Sequence, residues 1–155
     1  METFRCKLIV PLFLAILLLA PLTRATPDIR YCDKKGDYNV KVKGVDITPY
    51  PVARGQPATF SISATTGEAI SGGKLVIDVA YFGWHIHSET HDLCKETSCP
   101  VSDGDFVVSH SQDLPGFTPP GSYSLTMKMY DGNKQELTCI AFDFDIGFLS
   151  SVANS

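Results

Sequence analysis

The residues best equipped for chemistry lie close together in HIHSETHD, where His85, His87 and His91 precede Asp92. On a regular strand the H-x-H pair puts two imidazoles on one face, and a third ligand would complete a zinc site. The pattern stops short of that. There is no H-E-x-x-H, and no second carboxylate falls at a useful spacing. The stretch also lies between an apolar strand and a tight cysteine pair, where an irregular crossover is expected. No metal ligand is therefore assigned, and the three histidines are read instead as groups that could sense an acidic compartment. Nucleophilic catalysis has less to build on. The chain lacks G-x-S-x-G, and no serine stands with His and Asp in a recognised order. Asp143 and Asp145 alternate along one strand and read as a solvated face. No enzymatic activity and no cofactor are expected.

The cysteines do a different job. The chain has five, and Cys6 falls in a segment that resembles a secretory leader. Arg5 and Lys7 precede the apolar run 8–20, LIVPLFLAILLLA, and small residues follow at Thr23 and Ala25. A membrane-spanning helix needs about 20 apolar residues, and this run is shorter and holds Pro11. Residues 1–25 are therefore expected to be a cleaved leader, with 26–155 as one domain. Four cysteines remain, an even number suited to two disulfides in an oxidising compartment. Three pairings are open on paper. Cys94 and Cys99 enclose only four residues and can close a tight loop, which leaves Cys32 for Cys139. C-x-x-x-x-C flanked by two distant single cysteines lacks the paired spacing of a zinc site.

Without the leader, ten basic residues face sixteen acidic ones, against 13 and 17 in the whole chain. So acidic a domain is poorly suited to nucleic acid, which needs clustered Lys and Arg. Arg30, Lys34, Lys35, Lys41 and Lys43 form a modest basic stripe, too small to argue for strong headgroup recognition.

The elements that must carry these residues are strands. Residues 38–47 alternate through Val40 and Val42, slip at Gly44 and resume at Val45 and Ile47, as a β-bulge would require. Residues 58–65 put Phe60 and Ile62 on one face. Residues 74–82, KLVIDVAYF, are apolar at nearly every position and read as a central strand. Residues 105–111 offer Phe106, Val108 and His110 on one face. Residues 122–130 alternate Tyr123, Leu125, Met127 and Met129 with polar partners. Residues 136–146 alternate Ile140, Phe142, Phe144 and Ile146, whereas Leu137 and Cys139 have the opposite parity, so a twist or bulge is expected near Cys139. Six or seven strands between Gly/Pro turns predict an all-β, Ig-like sandwich of two antiparallel sheets.

Several motifs, taken in order, resemble the ML family, the MD-2-related lipid-recognition domains. Cys32 is followed by a strand and the turn ITPYPVARGQ. CKETSCP at 94–100 closes a small loop before a proline. LPGF at 114–117 and PPGSY at 119–123 precede an alternating strand, and LTCIAFDFDI at 137–146 closes the domain. The resemblance covers residues 28–148 and is nearest to plant members described as phosphatidylglycerol/phosphatidylinositol transfer proteins. It departs from the family's sterol carrier in one respect: the turn after the first strand has no cysteine.

The resemblance implies sheets splayed apart around a lipid. Ile86 and Phe117 fall where the sterol carrier lines its pocket mouth. The walls are expected from Phe60, Ile62, Tyr81, Phe106, Tyr123, Leu125, Met127, Phe142 and Phe144. Met127 and Met129 would give the pocket an adaptable lining. Protonation of the histidines would then loosen the mouth, and Trp84 could dip into a membrane interface during transient contact. The expected function is a soluble, monomeric carrier of a sterol or phospholipid in the secretory pathway, outside the cell or in a vacuole-like lumen. The alternative is a lipid-dependent recognition module with a protein partner in signalling or innate immunity.

Overall fold

The computed structural model describes residues 24–148, so the expected leader lies outside the described residues except for Arg24 and Ala25. Among the described residues, no helix is long and apolar enough to cross a membrane.

Among the described residues, eight strands and one helical turn make up the fold. They are β1 (Arg30–Tyr31), β2 (Val40–Thr48), β3 (Pro57–Thr66), β4 (Gly73–Tyr81), β5 (Trp84–Asp92), α1 (Leu93–Glu96), β6 (Gly104–Asp113), β7 (Gly121–Asp131) and β8 (Glu136–Ile146). One sheet has the order β1-β8-β7-β4-β5 and the other β2-β3-β6, and every strand pairing is antiparallel. β4 is internal, as its apolar run predicts. The six strands expected from alternation are all present. β1 and β5 bring the count to eight, beyond the six or seven expected.

β5 corrects the expectation of an irregular crossover. Its side chains are polar on both faces, so it has no hydrophobic period to read. What makes it a strand is backbone pairing to β4 through a two-residue turn, Phe82–Gly83. Both turn residues have positive φ, 48° and 83°, as a type I′ hairpin turn needs. β1 is equally cryptic, with only two residues paired to β8.

Three bulges set which way side chains point. On β2 the pairing passes from Val42 to Gly44, leaving Lys43 as the extra residue, next to the glycine where the slip was expected. On β8 the extra residue is Leu137, between Glu136 and Thr138. That insertion explains the broken parity ahead of Cys139. The third lies on β5, where Val79 faces His87 and Ala80 faces His85, so Ile86 bulges out of register.

Inward residues of the two sheets meet in one core. Phe142, Met127, Met129, Ile140, Leu75 and Val108 are fully buried, and each such side chain contributes roughly 1.5–3 kcal/mol by leaving water. Disulfides join Cys32 to Cys139 and Cys94 to Cys99, the pairing expected. The first ties β1 and the chain ahead of β2 to β8. The basic stripe is largely paired off: Arg30 with Asp143, Lys41 with Asp37 and Lys43 with Asp105.

Candidate functional site

The two sheets close tightly at one end and part at the other. At the closed end Met127, Met129, Ile140 and Phe142 fill the gap. At the open end Phe60 from β3, Ile77 and Val79 from β4, Leu125 from β7 and Phe144 from β8 line a cavity of about 380 Å³. Its lining is mainly apolar, and the loop 114–119 covers it. That loop is held from below. Tyr123 Oη donates to Pro119 O at 2.6 Å and Tyr81 Oη donates to Pro120 O at 2.9 Å. Burial, helped by the neighbouring Tyr81, pushes the Tyr123 hydroxyl pKa up, which keeps it a hydrogen-bond donor. Two larger hollows are open surface grooves: one of about 850 Å³ runs beside Gly72, Gly73 and Gly132, and one of about 710 Å³ lies along the Cys94–Cys99 loop.

Of the eleven wall and mouth residues expected from sequence, six line this cavity: Phe60, Ile86, Phe117, Tyr123, Leu125 and Phe144. Tyr81 stands behind Tyr123, ring centroids 4.8 Å apart. Four are placed elsewhere. Ile62, Met127 and Phe142 belong to the closed core. Phe106 lies beside the Cys94–Cys99 loop, in one of the surface grooves. Met127 and Met129 do not line this cavity: both pack in the core, and the lining is mainly aromatic and branched aliphatic. Alternation identifies inward residues but does not say at which end of a strand the sheets separate. Loop residues Leu114, Pro115 and Pro119 and the strand residues Ile77, Val79 and Ile146 add to the apolar lining, and His87, His110, Gln112, Asp113 and Thr118 are its polar members. The Pro-rich composition of the loop was visible in sequence, but its place over the cavity was not.

Around the mouth the surface is unusually greasy. Phe117 is 86% exposed and Trp84 77%, and Phe82 and Ile86 are also exposed. Phe82, Trp84 and Ile86 share the β4–β5 hairpin. Its tip lies against the end of the covering loop, since a side chain added at Gly121 would meet the Phe82 ring at 3.2 Å.

The histidines divide. The Ile86 bulge turns His85 to the outer face, where its Nε2 is 3.5 Å from Asp78 Oδ1. His87, Glu89 and His91 keep the inner face with Val79, Ile77 and Leu75. H-x-H therefore does not put His85 and His87 together. A different cluster forms instead, and it includes a residue that sequence spacing could not bring in. His110 of β6 is buried, with its ring 4.8 Å from that of His91. Glu89 accepts from His87 and His91, each at 2.7 Å. Burial pushes the Glu89 carboxyl up, but the hydrogen bonds from His91 and His87 outweigh it and hold it below its ordinary value. Glu96 of α1 reaches His110 Nδ1 at 3.4 Å and His91 Nδ1 at 3.8 Å. Asp92 fixes α1 by accepting from Cys94 N at 2.9 Å. Glu89, His91 and His110 have donor atoms within 4.8 Å of one another.

Known proteins share both the sequence pattern and the architecture. The ML domain profile matches residues 27–146. A Dictyostelium discoideum protein, provisionally named for phosphatidylglycerol/phosphatidylinositol transfer, is 34% identical over 116 residues, covering 72% of this chain and 80% of that protein. The phosphatidylglycerol/phosphatidylinositol transfer protein of Aspergillus oryzae is 31% identical over 119 residues, covering 72% of this chain and 67% of that longer one. The crystal structure of a Niemann-Pick type C2 protein from Japanese carpenter ant superposes with a TM-score of 0.53 at 13% identity, covering 83% of this chain and 96% of that one. At that identity the likeness concerns the fold. The eight-stranded sandwich, its two disulfides and the profile match together establish that this chain belongs to the ML domain family.

Proposed function

We propose that the protein is a soluble lipid-binding and lipid-transfer protein that holds the apolar part of a sterol or phospholipid in the cavity between its sheets. The observation that carries this is an apolar space, about 380 Å³, opening beside a ring of exposed aromatic and aliphatic side chains. Ligand cavities span about 300–1,000 Å³, so this one suits a ring system or a single tail, with any large headgroup left outside. Each methylene moved from water into it gains about 0.8 kcal/mol, and carriage of this kind makes and breaks no covalent bond.

The relatives support the same reading. The fungal one carries phosphatidylglycerol/phosphatidylinositol transfer in its name. Phe60, Leu125, Tyr123 and Phe144 act as the walls, Ile86 and Phe117 as the mouth, and Phe82 and Trp84 as the side chains that meet a membrane during exchange. The leader-like start and the disulfides support a place in the secretory pathway. The test is transfer of a fluorescent sterol and of fluorescent phosphatidylglycerol between two vesicle populations. Acceleration of at least one above the spontaneous rate is expected. Rates unchanged for both would refute transfer.

A further inference from the structure

We infer that His91, His110 and Glu96, backed by Glu89, form a binding site for one divalent transition ion of the zinc class, which joins the free edges of the two sheets. β5 is the edge of the five-stranded sheet and β6 the edge of the three-stranded one. No backbone pairing connects them, and the chain passes between them through α1 and the Cys94–Cys99 loop. Glu89 and His91 come from β5, Glu96 from α1 and His110 from β6. Sequence spacing alone assigned no metal here, because the ligands gather only when the two edges face each other, and because His85, the nearest histidine in sequence, is turned away.

Three observations support a cation at this seam. The first is charge. The side chains of Glu89 and Glu96 are only 20% and 14% exposed. Among the described residues neither has a Lys or Arg partner, and only imidazoles face them. Two carboxylates drawn out of water without a compensating fixed charge favour a bound cation.

The second is the direction of the donors. Both ring nitrogens of His91 face carboxylate oxygens, Glu89 at 2.7 Å and Glu96 at 3.8 Å. A neutral imidazole has one N–H and one lone pair, so one of these contacts sets a lone pair against a carboxylate. An ion on the Nδ1 side, where Glu96 and His110 Nδ1 also point, replaces that repulsion with two bonds, while the Nε2–H of His91 donates to Glu89 as an outer partner.

The third is the support around the ligands. His87 Nε2 lies 2.7 Å from the other oxygen of Glu89, and Gln112 Oε1 lies 3.1 Å from His110 Nε2. Outer partners of this kind orient metal-binding side chains. The Gln112 contact leaves His110 Nδ1 as the nitrogen directed at Glu96.

Imidazole and carboxylate together suit zinc and its neighbours rather than calcium or magnesium. Bonds of about 2.0–2.2 Å place tetrahedral ligand atoms roughly 3.3 Å apart. The Glu96 contacts, 3.4 and 3.8 Å, are close to that, whereas Glu89, 2.7 Å from His91 Nε2, stands at hydrogen-bond distance behind the ligands. The inference does not depend on the lipid reading, although the seam adjoins the cavity and His87 and His110 line both.

The test is titration of the chelator-stripped, lipid-free secreted protein with Co²⁺, followed by Zn²⁺. One equivalent of Co²⁺ should give the visible d–d absorption of a low-coordinate ion, and one equivalent of Zn²⁺ should displace it and raise Tm. His91→Gln and His110→Asn should abolish the band and the Tm shift. Glu89→Gln should weaken binding by about tenfold or more. His85→Ala should change neither. If His110→Asn does not fold, the partly exposed His91 decides the matter through His91→Gln. Absence of a saturable band in the folded wild type, or a band that survives His91→Gln, would overturn the site.

Discussion

The rings of Phe60 and Phe144 meet edge to face, 5.4 Å apart, one from each sheet. Phe60 also stands 6.0 Å from Phe142, which is wholly buried. Phe60 therefore lies at the boundary of the interior: it packs on both rings, and it lines the cavity together with Phe144 but not with Phe142. Substitutions on the two sides should behave differently. Phe142→Ala should cost about 3–5 kcal/mol of stability, the usual cost of emptying a packed core. Leu125→Trp pushes extra volume into the cavity. Tm should change little while bound lipid falls several-fold. In packed core the same insertion would cost about 1–3 kcal/mol, so thermal melts beside lipid content separate the cases.

The rim should govern rate rather than affinity. Trp84 is exposed and stands outside the cavity lining, so replacing it with serine should leave folding and lipid content unchanged. Transfer between vesicles should slow by about tenfold, equivalent to roughly 1.4 kcal/mol at the membrane step. Unchanged transfer kinetics would remove Trp84 from the exchange pathway.

Much of this was legible in the sequence, and the exceptions share a physical cause. Alternation in β2, β3, β4, β6, β7 and β8 reports burial on one face, and these strands fell where that pattern placed them. β5 faces water along much of its length, so no periodicity marks it, and its existence rests on a hairpin turn at Phe82–Gly83. The same holds for the site. Phe60, Tyr123, Leu125 and Phe144 could be named because they point inward. The division between cavity and core at Phe60 depends on where the sheets diverge, and it left Ile62, Met127 and Phe142 on the packed side. His110 was visible as an inward residue of β6. Its approach to His91 needs the two sheet edges to be brought face to face.

The two disulfides should differ in weight. Cys32 and Cys139 are 107 residues apart, Cys94 and Cys99 only five. In the chain-entropy model the long loop is worth about 4.8 kcal/mol and the short one about 2 kcal/mol. Paired alanine substitutions followed by urea denaturation should reproduce that order. A larger loss from the short loop would show that it acts by holding α1 and Glu96 in place rather than through chain entropy.

Acid should weaken the outer face of β8. Hydrogen bonds from Arg30 and then Ser124 hold the Asp143 carboxyl below the usual Asp range, against a smaller opposing effect of burial. A depressed folded-state pKa stabilises the fold above the unfolded value and loses that contribution as pH falls through the folded value. Asp143→Asn should therefore be less stable than wild type at neutral pH, and the gap should close as pH falls below the unfolded Asp value of about 3.9. Both partners are more than half exposed, so the neutral-pH difference should stay under about 1 kcal/mol. Stability curves against pH that remain parallel down to acid would contradict this assignment.

The most direct test of the central claim is native mass spectrometry of the protein secreted from eukaryotic cells, followed by release and identification of what it carries. A stoichiometric adduct of sterol or phospholipid mass is predicted in the wild type, with its loss in Leu125→Trp. A bare protein mass that persists after incubation with sterol and phospholipid vesicles would contradict the lipid-carrier account.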